Sequence, residues 1–178
     1  GCNPCSEIIL RPYQFCNLSE VVARETDTLD SLKRKVKYAT ILGTMQSTLT
    51  NFKYLRKVWK DNTEEERLLG VSLTGMANSP SIAFNEEWQK RAAYEVKNTN
   101  RRFAEMIGIN QAARTTCVKP SGNAAVLLGC ASGVHPEYAE RYIRRVQVSR
   151  DNPIAQFFEK TMPSAVDRVA PISSDINS

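Results

Sequence analysis

Residues 63–75 read TEEERLLGVSLTG, and this stretch sets the architecture. Thr63 followed three positions later by Glu66 has the form of a capping box, which predicts a short helix beginning there. The apolar run at residues 69–73 predicts a buried strand that stops at Thr74 and Gly75. A helix followed at once by a short buried strand is the alternation expected of an α/β fold with mainly parallel strands.

The same alternation extends in both directions. Residues 1–25 are short on helix signals: Pro4 and Pro12 punctuate them, and Val21 and Val22 favour extended backbone, so a loop leading into a strand is expected. Asp27 offers an N-cap, and apolar residues from Leu29 through Leu32, Val36, Ala39, Leu42, Met45, Leu49, Phe52 and Leu55 to Trp59 recur at three- and four-residue steps. That pattern predicts one long amphipathic helix or two in series, with Gly43 as the weakest point. On the other side, Asn85 caps a second long helix whose Trp88, Ala92, Val96, Phe103 and Met106 lie near one face and which Gly108 ends. Residues 115–118 read as extended, residues 120–123 as a turn, residues 124–128 as a renewed apolar run, residues 142–148 as a strand, and residues 154–160 as a helix after Asp151. Past Pro163 the sequence turns polar, and its last residues, PISSDINS, read as a truncation point.

A chain of 178 residues, 42% of them hydrophobic, suits one substantial core, and a charged fraction of 24% argues against disorder. No apolar run approaches the roughly 18 residues of a membrane span, and GCNPCSEIIL has no charged region ahead of a long apolar one, so a cytoplasmic protein without membrane contact is expected. The net charge of +5 comes from Lys and Arg residues scattered over several segments, which disfavours direct nucleic-acid binding. Five cysteines, an odd number, do not form a disulfide-scaffold pattern.

The densest chemical cluster is Asn3-Pro4-Cys5-Ser6-Glu7, followed by Cys16 within Phe15-Cys16-Asn17-Leu18. In an extended segment alternate residues share a side, so an amide, a thiol and a carboxylate from Asn3, Cys5 and Glu7 would meet at one spot. Such a trio can act on a polar substrate, with the carboxylate as proton acceptor, the amide as anchor and the sulfur as nucleophile or radical centre. Ionic cysteine catalysis calls for a basic partner, and the only histidine, His135, is distant along the chain, so ionic chemistry is not preferred.

Asn-Pro-Cys-x-Glu with a second cysteine eleven residues after the first resembles the finger loop of ribonucleotide reductases. Residues 116–123, TCVKPSGN, resemble that family's substrate-phosphate loop. TEEERLLGVSLTG and YIRRVQV (residues 142–148) are similar to segments of the adenosylcobalamin-dependent class, in its ribonucleoside-triphosphate-reducing branch. The resemblance covers residues 3–158, and four separated motifs in the right order are far more specific than any one.

The resemblance implies that residues 1–178 are the C-terminal portion of a catalytic barrel cut from a longer chain, with a finger loop at about residues 1–18 and a phosphate loop at about residues 117–125. The implied fold is an α/β barrel of ten strands with the finger loop threaded through its centre. Cys5 would carry a thiyl radical generated with adenosylcobalamin bound by the parent enzyme, and would abstract hydrogen from C3′ of the ribose. Glu7 would accept the 3′-hydroxyl proton, Asn3 would hold the sugar, and Cys16 would be half of the reducing dithiol, its partner lying upstream of these residues. Ser121, Gly122, Asn123 and Ala124 would meet the substrate phosphates through backbone N–H groups and the Ser121 hydroxyl. Implied partners are a ribonucleotide, a dithiol reductant such as thioredoxin, and the rest of the reductase chain. The segment alone should be inactive and poorly stable. Two departures stand out: Ser6 occupies a position where many relatives carry glycine, and Asn123 and Ala124 stand where threonine or serine is common, so Ala124 can offer only its N–H.

Plainer readings stand beside these. Taken alone, Cys5 would more often be a buried filler than a catalyst, and its grouping with Asn3, Glu7 and Cys16 reverses that balance. A metal site from Cys2, Cys5 and Cys16 lacks a matching second pair, so none is expected. Cys117 and Cys130 read as core cysteines and His135 as a capping residue. Two rival functions remain: a ribonucleotide reductase of another class, and a non-catalytic nucleotide-binding module in which Cys5 is inert.

Overall fold

A computed structural model describes residues 1–167, which fall into two compact units, Gly1–Tyr138 and a second beginning at Ala139. The first unit is mixed α/β. Its sheet pairs β1 (Asn17–Val22) with β2 (Leu69–Thr74) in parallel, with Asn17 opposite Leu69 and Val22 opposite Thr74. On the other side of β2, residues 114–117 lie alongside: Leu69 N–H donates to the Arg114 carbonyl, Val71 N–H to the Thr115 carbonyl and Cys117 N–H to the Val71 carbonyl. The extended reading of residues 115–118 therefore supplies one parallel bridge, Val71 to Thr116, rather than a full strand.

The crossover from β1 to β2 holds α1 (Leu29–Gln46) and α2 (Lys57–Glu66). The N-cap of α1 is Thr28, not Asp27: Thr28 Oγ1 accepts from Ser31 N–H, and Ser31 Oγ accepts from Thr28 N–H. Asp27, one residue earlier, instead accepts from the Ser31 hydroxyl at 2.6 Å and pairs with Lys35 at 2.6 Å, because its carboxylate reaches over the first turn. Thr28→Ala should lower the unfolding free energy by about 1 kcal/mol in urea denaturation, while Thr28→Ser should be nearly neutral.

The helix passes straight through Gly43, where an added Cβ would sit 3.5 Å from both Leu69 Cδ2 and Ser19 Oγ, so glycine at this position admits close packing of α1 on the sheet. The predicted long helix stops at Gln46, and Leu49 and Leu55 lie exposed in the connection to α2. The capping box read at Thr63 is overturned. Thr63 lies inside α2, and its hydroxyl donates to the Trp59 carbonyl at 2.7 Å. The helix starts six residues earlier because Trp59 is anchored by Phe15, 4.7 Å between ring centres, and by Tyr13 at 5.6 Å.

After β2 come the short α3 (Pro80–Ala83) and the long α4 (Glu86–Ile107), whose Asn85 side chain accepts from Trp88 N–H and whose end is Gly108 at φ 72°. The buried side of α4 runs Ala92, Val96, Asn100, Ala104, a ridge of four-residue steps that advances around the helix. Met106 falls off this ridge and is 70% exposed, against the expectation that it faces inward. Val21, Leu32, Val36, Ala39, Val71, Ala92 and Val96 form the core between sheet, α1 and α4. At its edge Asn100 donates to Thr44 Oγ1 and accepts from Ala112 N–H, satisfying a buried amide from both ends.

The apolar run at residues 124–128 forms a helix, α5 (Asn123–Leu128), which settles the strand-or-helix ambiguity of short apolar segments. In the second unit, α6 (Pro153–Thr161) is capped by Asn152 rather than Asp151 and is followed by a 3₁₀ turn, Pro163–Ala165. The expected strand at residues 142–148 is absent among the described residues; Ile143 and Val146 are exposed, since the alternating pattern finds no sheet edge to join. The reading of residues 171–178 lies outside the described residues. No described helix is long and apolar enough to cross a membrane.

Candidate active site at the meeting of two loops

The first ten residues fold back on themselves. Cys2 bridges Ile9 in antiparallel fashion, Asn3 N–H donates to the Ile8 carbonyl, and Ser6 N–H donates to the Asn3 carbonyl at 2.9 Å. Asn3-Pro4-Cys5-Ser6 is thus a tight turn, with Pro4 at the position where its fixed φ is most useful. The extended geometry expected for Asn3, Cys5 and Glu7 is replaced by this turn. Ser6 takes φ 63°, in the left-handed region that favours glycine, which makes its departure from glycine a real conformational cost.

The trio converges all the same, by a different route. Asn3 Nδ2 donates to Glu7 Oε1 at 2.7 Å, while Asn3 Oδ1 accepts from Ile8 N–H at 2.9 Å. Lys119, carried in from the far end of the unit, donates to Glu7 Oε1 at 3.0 Å and to Cys5 Sγ at 3.5 Å. Thiol and carboxylate therefore stand no further apart than the sum of those two distances. Burial pushes the Glu7 carboxyl upward, but its own backbone N–H, Lys119 and Asn3 together outweigh it and hold it below the usual carboxylate range. The Lys119 ammonium is held above its ordinary value, chiefly by the hydrogen bond to Glu7. Glu7 Oε2 is covered and has no hydrogen-bond partner.

Cys16 lies just before β1, and its sulfur faces Gly70 on β2; Cys117 faces the same glycine from the other side. An added Cβ on Gly70 would stand 3.1 Å from Cys16 Sγ and 2.9 Å from Cys117 Sγ. Burial, with Cys117 and Glu7 adding to it and Lys119 opposing, pushes the Cys16 thiol up to about 11. Since the folded state keeps this proton between the ordinary thiol value of 9.0 and about 11, the Cys16 contribution to stability is present below pH 9.0 and is lost as pH rises through about 11. Thermal unfolding should show that extra loss for wild type and not for Cys16→Ala.

The second loop runs from Cys117 to α5. Ser121 N–H and Gly122 N–H both donate to Ser132 Oγ, at 2.8 and 2.9 Å, so two consecutive amides converge on one oxygen as a phosphate-binding turn would have them do. Here that oxygen belongs to the protein. The Ser121 hydroxyl is likewise engaged, donating to Glu20 Oε1 at 2.8 Å. Asn123 and Ala124 are exposed in the first turn of α5. Gly133 fixes the stem of the loop: a side chain there would collide with the Lys119 carbonyl, 2.3 Å from the position of its Cβ.

The structure thus brings Asn3, Cys5 and Glu7 together, sets Ser121 and Gly122 two and three residues beyond Lys119, and leaves Cys16 against Gly70. Sequence reasoning missed Lys119, Ser132 and Glu20, and it took Cys117 for a core residue although its sulfur sits beside Gly70. Lys119 lay inside the quoted TCVKPSGN phrase; what hid it was the separation of more than a hundred residues from Glu7. His135 is exposed, with Nδ1 3.2 Å from the Ser132 carbonyl.

No family model matches the chain. It is 28% identical over 163 residues to a probable adenosylcobalamin-dependent ribonucleoside-triphosphate reductase of Dictyostelium discoideum, a match spanning 85% of this chain and 20% of the relative. An adenosylcobalamin-dependent ribonucleoside-triphosphate reductase of Euglena gracilis is 28% identical over 162 residues, 88% of this chain and 21% of the relative, and one of Lactobacillus leichmannii is 25% identical, over 86% of this chain and 24% of the relative. In fold, 76% of the chain superposes on 22% of a crystal structure of B-12-dependent (class II) ribonucleotide reductase, with a TM-score of 0.54 and 23% identity. The chain spans about a fifth to a quarter of the length of these relatives. The similarity is thus to one segment of proteins named adenosylcobalamin-dependent ribonucleoside-triphosphate reductases, and in fold to one segment of a B-12-dependent ribonucleotide reductase.

Proposed function

We propose that this segment carries the radical thiol and the phosphate turn of an enzyme that reduces ribonucleoside triphosphates to 2′-deoxyribonucleotides in the cytoplasm. The observation that carries the proposal is the convergence of Cys5, Glu7 and Asn3 around Lys119, next to the turn at Ser121 and Gly122. In the complete protein this segment forms part of a ten-stranded α/β barrel with residues 1–18 as its central loop.

The residues present fit adenosylcobalamin chemistry at one point: Cys5 is exposed at the tip of a turn, where a group outside the segment can reach its sulfur. When bound, that cofactor supplies the homolytic chemistry that makes Cys5 a thiyl radical. Cys5 then takes the hydrogen from C3′ of the ribose. Glu7, held ionised, accepts the 3′-hydroxyl proton and so favours departure of the 2′-hydroxyl, which leaves as water with a proton from the reducing thiols. Asn3 holds Glu7 in place and offers the sugar its remaining hydrogen-bonding capacity. Cys16 gives up hydrogen as one of two thiols that end as a disulfide, which a dithiol such as thioredoxin restores.

For phosphate to bind at the 121–124 turn, Ser132 Oγ has to yield the two amides it occupies, and Ser121 has to turn from Glu20. The test is to supply a full-length protein containing this segment with adenosylcobalamin, a ribonucleoside triphosphate and a dithiol, and to look for the 2′-deoxy product. Nucleotide bound without turnover would instead identify a binding module.

A further inference from the structure

Lys119 has no chemical step among the roles assigned above, yet among the described residues its side chain touches both Cys5 and Glu7 of the finger loop. Its backbone is fixed on both sides: Cys117 N–H is bonded to β2 at the Val71 carbonyl, and Gly133 packs against the Lys119 carbonyl. Its side chain is only 22% exposed. The ammonium and the Asn3 amide both take the same Glu7 oxygen, Oε1, and this leaves Oε2 as the oxygen without a partner.

We propose that Lys119 is a positioning residue: by holding Oε1 it fixes the Glu7 carboxylate, it keeps positive charge beside the Cys5 sulfur, and it ties the finger loop to the phosphate turn. The first of these effects rests on the proposed function; the second does not, since it concerns thiol reactivity alone. The Lys119 ammonium lies 3.5 Å from the Cys5 sulfur, and a unit charge at such a distance favours an anion in water by roughly fivefold to tenfold, while Glu7 acts against it. Removing Lys119 leaves Glu7 unopposed.

The test on the chain itself is the rate of alkylation by iodoacetamide, followed residue by residue with tandem mass spectrometry. Lys119→Met should slow Cys5 about fivefold, Lys119→Arg should restore most of the rate, and exposed Cys2 should serve as an unchanged internal reference. In the unsubstituted chain, raising the salt concentration should slow Cys5 relative to Cys2, a measurement that needs no variant to fold. Equal Cys5 rates in wild type and Lys119→Met, or a Cys5 to Cys2 ratio indifferent to salt, would overturn the charge assignment even where the protein turns over nucleotides. In the full-length enzyme, Lys119→Met should lower kcat with little change in KM, and Lys119→Arg should recover part of it; an effect confined to KM would make Lys119 a phosphate contact and refute the positioning role.

Discussion

Cys5→Ser in the full-length enzyme should reduce deoxynucleotide formation to background while nucleotide binding and thermal stability stay at wild-type levels. The substitution is conservative for everything structural at this position. The turn from Asn3 to Ser6 is closed by a backbone hydrogen bond, Glu7 is held by Asn3 and Lys119, and a serine hydroxyl can accept from Lys119 where the sulfur now does. Cys5 is exposed, so no core packing is lost. What serine cannot do is give up its hydrogen to form a stable sulfur-centred radical, because an oxygen–hydrogen bond is much the stronger. Equilibrium binding of a ribonucleoside triphosphate and product analysis on the same preparation separate the two outcomes. Turnover undiminished by Cys5→Ser would end the thiyl proposal, since the deoxynucleotide would then be made without this sulfur.

The parts of this chain that could be read from sequence are those whose signals are local and doubled. Helix α4 has a cap at each end, Asn85 and Gly108, and β2 is closed by Thr74 and Gly75. Single signals fared worse. The Thr63 and Glu66 pair satisfies a capping pattern, but ring contacts from Trp59 to Tyr13 and Phe15 move the helix start ahead of it, and such contacts join residues more than forty apart. Residues 142–148 alternate as a strand does, and alternation without a neighbouring edge yields no strand. The reactive trio shows a third case. Its members could be singled out by chemistry only as candidates; the backbone brings them together through a turn at Pro4 rather than through alternation, and Lys119 reaches them from a segment that lies alongside β2.

Gly70→Val should damage the fold strongly, and it should be felt at the thiols as well. Gly70 lies within β2, flanked by β1 on one side and by residues 114–117 on the other. A Cβ there would come within 2.6 Å of Leu18 Cδ2, 2.9 Å of Cys117 Sγ and 3.1 Å of Cys16 Sγ. Each of those atoms ends a side chain that could turn aside alone, but the three crowd one point from different directions, so no single rotation makes room. Alanine recovers part of its cost through the lower backbone entropy it loses on folding, and should destabilise by about 1 kcal/mol. Valine adds two methyl groups to the same crowded point and should reach about 3 kcal/mol, the upper end of overpacking. Urea denaturation measures the loss, and alkylation of Cys16 and Cys117 measures its direction: side chains pushed out of the space over Gly70 should react faster than in wild type, with Cys130, buried elsewhere, unchanged. A valine variant with wild-type stability and equally protected thiols would mean that the two sulfurs do not share that space, and would remove the reason for a glycine near the start of this strand.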